Sequence, residues 1–292
     1  MKRIALYAAA FLFISLLIID VSLSWGFQSH RNVNAAAIEG MPDAIKPFFQ
    51  KYSEFLIEES VTPDRRRADD PDEGPNHYIN LDLFGEYPFE DFTLEYDDAV
   101  SRFGADSVRT KGLAVWRIEN WFDSLTVAMA EQDVDRILRF AADIGHYIAD
   151  LHMPLHTTSH YDGQLTDQRG VHRRFETDLP ERYDSLYSWD IPEPAIIESP
   201  LEFIFEFTLE SYRLIDDLYE ADMRAREGIP AGELYTIEHR GDRRIYIYND
   251  TYYEQFHAQL DGMVEDRLRL AAQRVRDIWY TAWVEAGKPE LL

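Results

Sequence analysis

The chain has 292 residues, 46% of them hydrophobic and 14% aromatic, enough apolar material for one large or two ordinary cores and the wrong balance for a disordered, collagenous or multi-span membrane chain. It contains no cysteine, which excludes disulfides, iron–sulfur clusters, thiolate zinc fingers and cysteine nucleophiles, so any metal must bind through nitrogen and oxygen. With 29 Lys and Arg against 54 Asp and Glu the net charge is −25, a field that opposes indiscriminate adhesion to nucleic acid or anionic lipid and makes phosphate recognition a local matter.

The chain opens with Lys2-Arg3, an uncharged apolar run from Ile4 to Ile19, and the small residues Ser22 and Ser24, the order of a secretory signal peptide. An uncleaved anchor helix is the alternative, because the run falls only slightly short of the roughly 20 residues that span a bilayer. Asp20 interrupts the apolar stretch, and a charge is costly in lipid, which favours cleavage after Ser24. The expectation is a leader over residues 1–24 and an exported, periplasmic or secreted protein over 25–292, without stable membrane insertion.

Beyond the leader, hydrophobic spacing is helical almost throughout and no internal repeat is evident. Helical patterns run through Ala44–Glu59, with Pro47 near the start, and Ser107–Ala130. From Val134 the apolar positions Ile137, Leu138, Ala141, Ile144, Ile148 and Leu151 recur at three and four until Pro154 ends them, an amphipathic helix of about five turns. Further patterns cover Leu201–Arg226 and Tyr253–Glu285, and strand-like alternation is confined to Arg243–Tyr248. The expected fold is a single all-α domain. Thr62–Pro88, Thr157–Gly170 and Tyr183–Pro200 are rich in Pro, Gly and Asp and read as long irregular stretches of the kind that carry function. Trp116, Trp121, Trp279 and Trp283 lie in the helical patterns and are read as core.

Five of the nine histidines, His146, His152, His156, His160 and His172, fall between residues 146 and 172. His146 and Asp150 are four apart on the Val134 helix, so both side chains leave one face and can reach one ion. His172 and Glu176 repeat that spacing at a plausible helix start, with His156 between the pairs. A lone pair of this kind is an ordinary surface ion pair. Two pairs with a further histidine match the imidazole and carboxylate set of a catalytic zinc site. His152, His160, His239 and His257 are left as surface or core residues.

Gly145-His146-Tyr-Ile-Ala-Asp150-Leu-His-Met-Pro154-Leu-His156 resembles the central motif of the superfamily formed by zinc-dependent phospholipase C and the fungal-type single-strand-specific nucleases, all-helical bundles with a trinuclear zinc site. The family's mature chain begins with a tryptophan whose amino nitrogen and carbonyl oxygen bind zinc, followed by a ligand histidine. Trp25-Gly26-Phe-Gln-Ser-His30 matches at the expected cleavage point. Pro63-Asp64-Arg65-Arg66-Arg67 and Asn76-His77-Tyr78 fit the next ligands, and His172 and Glu176 the last. The resemblance implies one zinc on Asp64, His77, His146 and Asp150, a second on His156, His172 and Glu176, and a third on Trp25, His30 and a shared Asp150. It covers Trp25 to Glu176, and residues 177–292 carry no matched motif.

The function so implied is hydrolysis of a phosphate ester by a metal-activated water, with Asp64 and Asp150 as catalytic carboxylates. Arg65, Arg66 and Arg67, together with Arg169, Arg173 and Arg174, are candidates for a local phosphate patch. By resemblance Arg67 is the one that faces substrate. The alternative for the first three is pairing with Asp69, Asp70, Asp72 and Glu73. The His172-x-x-x-Glu176 form leans toward a phospholipase C-like enzyme. The Trp25–His30 spacing, and Tyr78 as a ring on which a base can stack, speak for a single-strand nuclease. Arg65 stands where choline-specific relatives have an aromatic residue, which argues against a choline headgroup. The partner is therefore a small phosphodiester, a phospholipid or single-stranded nucleic acid. An exported zinc-binding protein without hydrolytic activity is the remaining alternative.

Overall fold

The structure, a computed structural model, describes residues 26–89, 92–240 and 243–292. Residues 1–25, on which the expected leader and the Trp25 ligand fall, lie outside the described residues. The fold is all-α, with one small hairpin.

The chain starts with α1 (Phe27–Glu39), which the sequence reading did not mark, then α2 (Lys46–Lys51) and α3 (Ser53–Glu58). The helix expected over 44–59 is thus two, interrupted at Tyr52, whose φ of −108° and ψ of 17° leave the helical region. The stretch read as irregular from Thr62 begins with the single turn α4 (Thr62–Arg66), with Pro63 in its first turn, where the missing N–H costs nothing. The pattern over 107–130 divides into α6 (Ala105–Lys111) and α7 (Ala114–Ala130), after α5 (Tyr96–Phe103). The break falls at Gly112, with φ of +107°, and a Cβ there would lie 2.2 Å from the Tyr78 carbonyl oxygen. Only glycine satisfies both demands.

Helix α8 (Val134–His152) forms where its pattern predicts. The Asp133 carboxylate caps it by accepting from the Arg136 backbone N–H at 3.2 Å, and Met153-Pro154 ends it. A three-residue helix, α9 (Val171–Arg173), continues into a π-helical segment, Arg174–Asp178, and then α10 (Leu179–Tyr183). The pattern over 201–226 divides into α11 (Pro200–Tyr212) and α12 (Ile215–Arg224). That over 253–285 divides into α13 (Asp250–Gln259) and α14 (Met263–Glu285), at Asp261 and Gly262, which both have positive φ. The alternating segment 243–248 is strand β2 (Arg243–Tyr248), paired antiparallel with β1 (Tyr235–Arg240) in the register Tyr235 to Tyr248.

The core centres on α8, which packs against α1, α7, α11 and α14. Trp279 of α14 is buried and donates its indole N–H to the Ala141 carbonyl of α8 at 3.1 Å, while Phe49 stacks on its ring at 5.0 Å. Burial of such side chains contributes about 1.5–3 kcal/mol each. Trp116 and Trp283 are also buried, and Trp121 packs at the core margin, as expected of them. On the α1 side the approach is closest at Gly145, where a Cβ would meet Asn34 Oδ1 at 2.0 Å. No helix among the described residues is long and apolar enough to cross a membrane.

Candidate metal centre

Close approach of α1 to α8 lays the His30 ring on the His146 ring, with centroids 4.0 Å apart and planes at 15°. His146 and Asp150 leave α8 on the same face, and α4 and the 3-10 turn Gly74–His77 bring Asp64 and His77 against them. His77 Nδ1 lies 2.9 Å from Asp150 Oδ2 and 3.0 Å from His146 Nε2. Asp64 Oδ1 lies 3.8 Å and 3.9 Å from those two nitrogens. The other Asp150 oxygen, Oδ1, faces His30 Nε2 at 3.6 Å and His156 Nδ1 at 3.7 Å. Asp150 therefore stands between several imidazoles.

The second grouping unites the turn after α8 with the α9 and π-helical segment. His156 Nε2 and His172 Nε2 are 3.2 Å apart, and Glu176 Oε2 is 3.5 Å from the first and 3.0 Å from the second. The His172–Glu176 pair, expected on an ordinary helix, converges across a π-helical turn, in which residues four apart still share a face. His30 with Asp64 and His146, His77 with His146 and Asp150, and His156 with His172 and Glu176 form three buried groups, each with ligand atoms within 4.8 Å of one another.

Hydrogen bonds fix which ring nitrogens carry protons. Nδ1–H donates to a carbonyl in three rings: His146 to Ser60 at 2.8 Å, His156 to His77 at 2.9 Å and His172 to Tyr161 at 2.8 Å. A carbonyl only accepts, so in the neutral rings each Nε2 is a bare lone pair. Those lone pairs and the carboxylate oxygens face one another in a space shielded from water. Asp150 Oδ1 and Glu176 Oε2 have no hydrogen-bond donor among the described residues. Such convergence of acceptors is repulsive until a cation sits among them, and nitrogen with carboxylate oxygen is the donor set of zinc. The residues fit the metal.

The ionisation tendencies have the same origin. A proton and a metal ion are alternatives at His146 Nε2: burial lowers the ring, but the charge and hydrogen bond of Asp150 outweigh it and raise it to about 9, so a proton holds that position until a cation displaces it. Burial and Glu176 oppose each other at His172, and the net shift is upward. Burial raises Asp150, yet the His146 and His156 charges hold it well below the carboxylate range. His30 goes the other way, pushed down by burial and then by His146. Protons and metal ions compete for these positions.

The centre opens on a cleft of about 300 Å³ lined by Arg67, His77, Tyr78, Asn80, Leu155, His156, Tyr161 and His172. Arg67 lies in it, 3.5 Å from Asp64 Oδ1. The other arginines do not join it. Arg66 donates to Asp143 at 3.1 and 2.8 Å and lies 3.4 Å from Glu73, so acidic pairing holds for that residue. Arg65 sits over the Phe27 ring at 5.5 Å. Arg173 pairs with Asp178 at 3.2 Å and Arg174 with buried Asp222 at 2.7 Å. The phosphate patch expected around His172 is corrected for Arg173 and Arg174, whose guanidiniums are taken by Asp178 and by Asp222 of α12. His152 is buried in the core, His160 and His257 are half-buried, and His239 is exposed.

Three residues that bear on the site were given no part in it from the sequence. Glu73 faces His77 Nε2 at 3.4 Å and accepts from the Tyr147 hydroxyl. Asn80 and Tyr161 complete the cleft wall. Glu73 lies four residues before His77, a spacing that could have suggested it. Tyr161 carried no such signal.

Fold and site together define an all-α protein with buried histidine–carboxylate groups arranged to hold divalent metal. No protein-family model and no curated protein matches the chain. Its fold is similar to that of the alpha-toxin of Clostridium perfringens, crystallised from avian strain SWCP, with a TM-score of 0.54 and 14% sequence identity. The match covers 90% of this chain and 65% of the toxin, so the chain spans about two thirds of the toxin's length. At that identity the likeness is one of fold.

Proposed function

We propose that the protein is an exported, zinc-dependent phosphodiesterase. The observation that carries the reading is the set of buried acceptor atoms, typified by His156 Nε2, His172 Nε2 and Glu176 Oε2, opening beside Arg67 on one cleft. Asp64, His77, His146 and Asp150 would hold one ion, His156, His172 and Glu176 a second, and His30 with Asp150 and the Trp25 terminus a third. Bound there, zinc supplies Lewis-acid charge for the phosphate oxygens and lowers the pKa of a water. Asp64 would orient the attacking water and take its proton as the new P–O bond forms. Arg67 would bind a non-bridging phosphate oxygen, and as the ester P–O bond breaks the leaving oxygen would take up the proton released from the water, through Asp64 or solvent, and depart as an alcohol.

The phospholipase C-like form is our first reading, supported by the glutamate of the His172-x-x-x-Glu176 pair, where the nucleases usually have aspartate. The fold likeness to the alpha-toxin agrees with it. A choline headgroup is disfavoured, because Arg65 stands where the choline-specific relatives have an aromatic residue and Arg67 adds a cation to the cleft. A second reading, single-strand nuclease, draws support from Tyr78 and Tyr161 on the cleft wall beside Asn80. Two rings and an amide suit a planar base with a hydrogen-bonding edge.

The test is expression with the native leader, followed by N-terminal sequencing, elemental mass spectrometry, and assays on phospholipids of several headgroups beside single-stranded DNA and RNA. Three zinc ions and metal-dependent release of a phosphomonoester support the proposal, and the preferred ester selects between the readings. Tight zinc binding without turnover on any ester would leave a non-catalytic metal-binding protein and overturn the enzyme assignment.

A further inference from the structure

We infer that Asp222, on α12 and remote from the cleft, is a positioning residue for the His172–Glu176 half of the metal centre, acting through Arg174. The inference rests on the metal-binding part of the proposal above. Arg174 lies midway between His172 and Glu176 in sequence, yet its guanidinium points away from both. Nη2 donates to Asp222 Oδ1 at 2.7 Å and to the Gln168 carbonyl at 3.2 Å. Nε donates to the Tyr252 hydroxyl at 2.8 Å, and Nη1 to the Arg169 carbonyl at 2.9 Å. The Tyr248 ring lies 4.6 Å from the guanidinium carbon.

Asp222 is fully buried and is the hub of this arrangement. Besides Arg174 it accepts from the Tyr252 hydroxyl, from Gln168 Nε2 at 2.9 Å and from Arg226. One carboxylate thereby joins α12, α13, the end of the loop before Gly170 and the segment that carries two proposed ligands. That segment is π-helical, a rare conformation with little intrinsic stability that persists where tertiary contacts support it. A buried guanidinium that lost its carboxylate would have to move toward water, and the chain on either side of it would move too. His172 and Glu176 are that chain. A role is thus assigned to part of 177–292, where no motif was recognised.

The experiment measures zinc per molecule and zinc affinity, using a competing chromophoric chelator, for the full chain with its native N-terminus and its Asp222→Asn and Tyr252→Phe variants. Thermal unfolding is followed alongside, and Glu73→Gln, which acts on the His77 side, serves as comparator. The expected result is selective loss of one ion from Asp222→Asn, its dissociation constant raised about 10- to 100-fold and occupancy restored at higher free zinc. Tyr252→Phe should show a smaller shift in the same sense. Glu73→Gln should weaken a different ion.

Wild-type zinc content and affinity in Asp222→Asn, with only a lower melting temperature, would overturn the inference and leave a structural ion pair. Equal weakening of every ion would overturn it as well. Should Asp222→Asn fail to fold, Tyr252→Phe decides by the same criteria. A wild-type protein that binds no zinc overturns the metal reading itself, which separates the two failures.

Discussion

His156 and His172 aim their Nε2 atoms at each other across 3.2 Å, with each Nδ1–H already given to a carbonyl. Two neutral imidazoles placed so repel, and Glu176 at 3.0 Å from His172 adds a further acceptor. On the proposed metal reading, the native fold is most stable with cations bound among these groups. Removing zinc with a chelator should lower the melting temperature, and restoring zinc should recover it. At a free-metal concentration near 1,000 times the dissociation constant, one site stabilises the fold by about 4 kcal/mol. That corresponds to a shift of about 8–16 °C in a domain of ordinary size. Scanning calorimetry with and without chelator checks it, and an unchanged melting temperature would contradict the linkage.

Arg67 is the cleft's cation from the Arg65–Arg67 run, and on the proposed reading it binds phosphate and holds no metal. Replacement by Ala should lower kcat/KM about 10²- to 10³-fold, the loss expected when a charged donor to the transition state is removed. Zinc content should stay at the wild-type value. Arg67→Lys keeps the charge without the fork and should recover part of the loss. Steady-state kinetics with elemental analysis of the same preparations tests both statements, and loss of zinc from Arg67→Ala would assign Arg67 to holding Asp64.

The parts of this site that were legible in the sequence are those set by local geometry. His146 and Asp150 share a face because four residues make about one helical turn, and α8 was traceable from its apolar stripe and the proline after it. What was not legible depends on residues far apart in the chain. Arg174 reads as a phosphate ligand until Asp222, 48 residues on, is seen to hold it. Arg66 is turned from the cleft by Asp143, 77 residues on. The long helical patterns also concealed their breaks. Gly112 divides one of them because the Tyr78 carbonyl occupies the space of a side chain, and nothing within the helical period records that contact. Hairpin partner β1 was missed for the same reason, since its cross-strand pairing determines it and its own alternation is weak.

His152, on the far side of α8 from the metal centre, gives the fold a pH dependence. Its Nδ1–H donates to the Ile148 carbonyl at 2.7 Å and its Nε2 accepts from Arg274 at 2.7 Å. Burial first, then the charges of Arg274 and Arg267, push the ring well below the ordinary histidine value. Glu210, paired with Arg274, and Phe207, stacked at 4.9 Å, complete its surroundings. The native state excludes a proton that the unfolded chain takes up below about pH 6.5. Stability from this group is therefore fully present above pH 6.5 and declines below it, by about 1.4 kcal/mol per pH unit for as long as the native ring stays neutral. His152→Gln should be less stable than wild type at pH 7.5, and the gap should narrow by about 1.4 kcal/mol at pH 5.5. Urea midpoints of the two proteins at both pH values decide it. A gap that widens on acidification would refute the assignment.

Gly145 shows how packing and site are joined. It precedes His146 on α8 and faces Asn34 of α1, whose side-chain N–H donates to the Leu56 carbonyl at 2.8 Å. In an exposed helix Gly→Ala stabilises by up to about 1 kcal/mol. Here the new Cβ would lie 2.0 Å from Asn34 Oδ1, and overpacking of that kind costs about 1–3 kcal/mol. The clash outweighs the propensity gain, so Gly145→Ala should destabilise the protein by about 1–2 kcal/mol. Separation of α1 from α8 should also lift His30 off His146 and weaken binding of the ion proposed between those helices. Asn34→Ala alone should cost about 1–3 kcal/mol, because it removes the buried hydrogen bond to the Leu56 carbonyl. It also vacates the space that the Cβ needs. The double variant should therefore be less destabilised than the sum of the singles, with a coupling of about 1 kcal/mol or more. Additive losses in a double-mutant cycle of unfolding free energies would mean that the two residues do not set the distance between the helices.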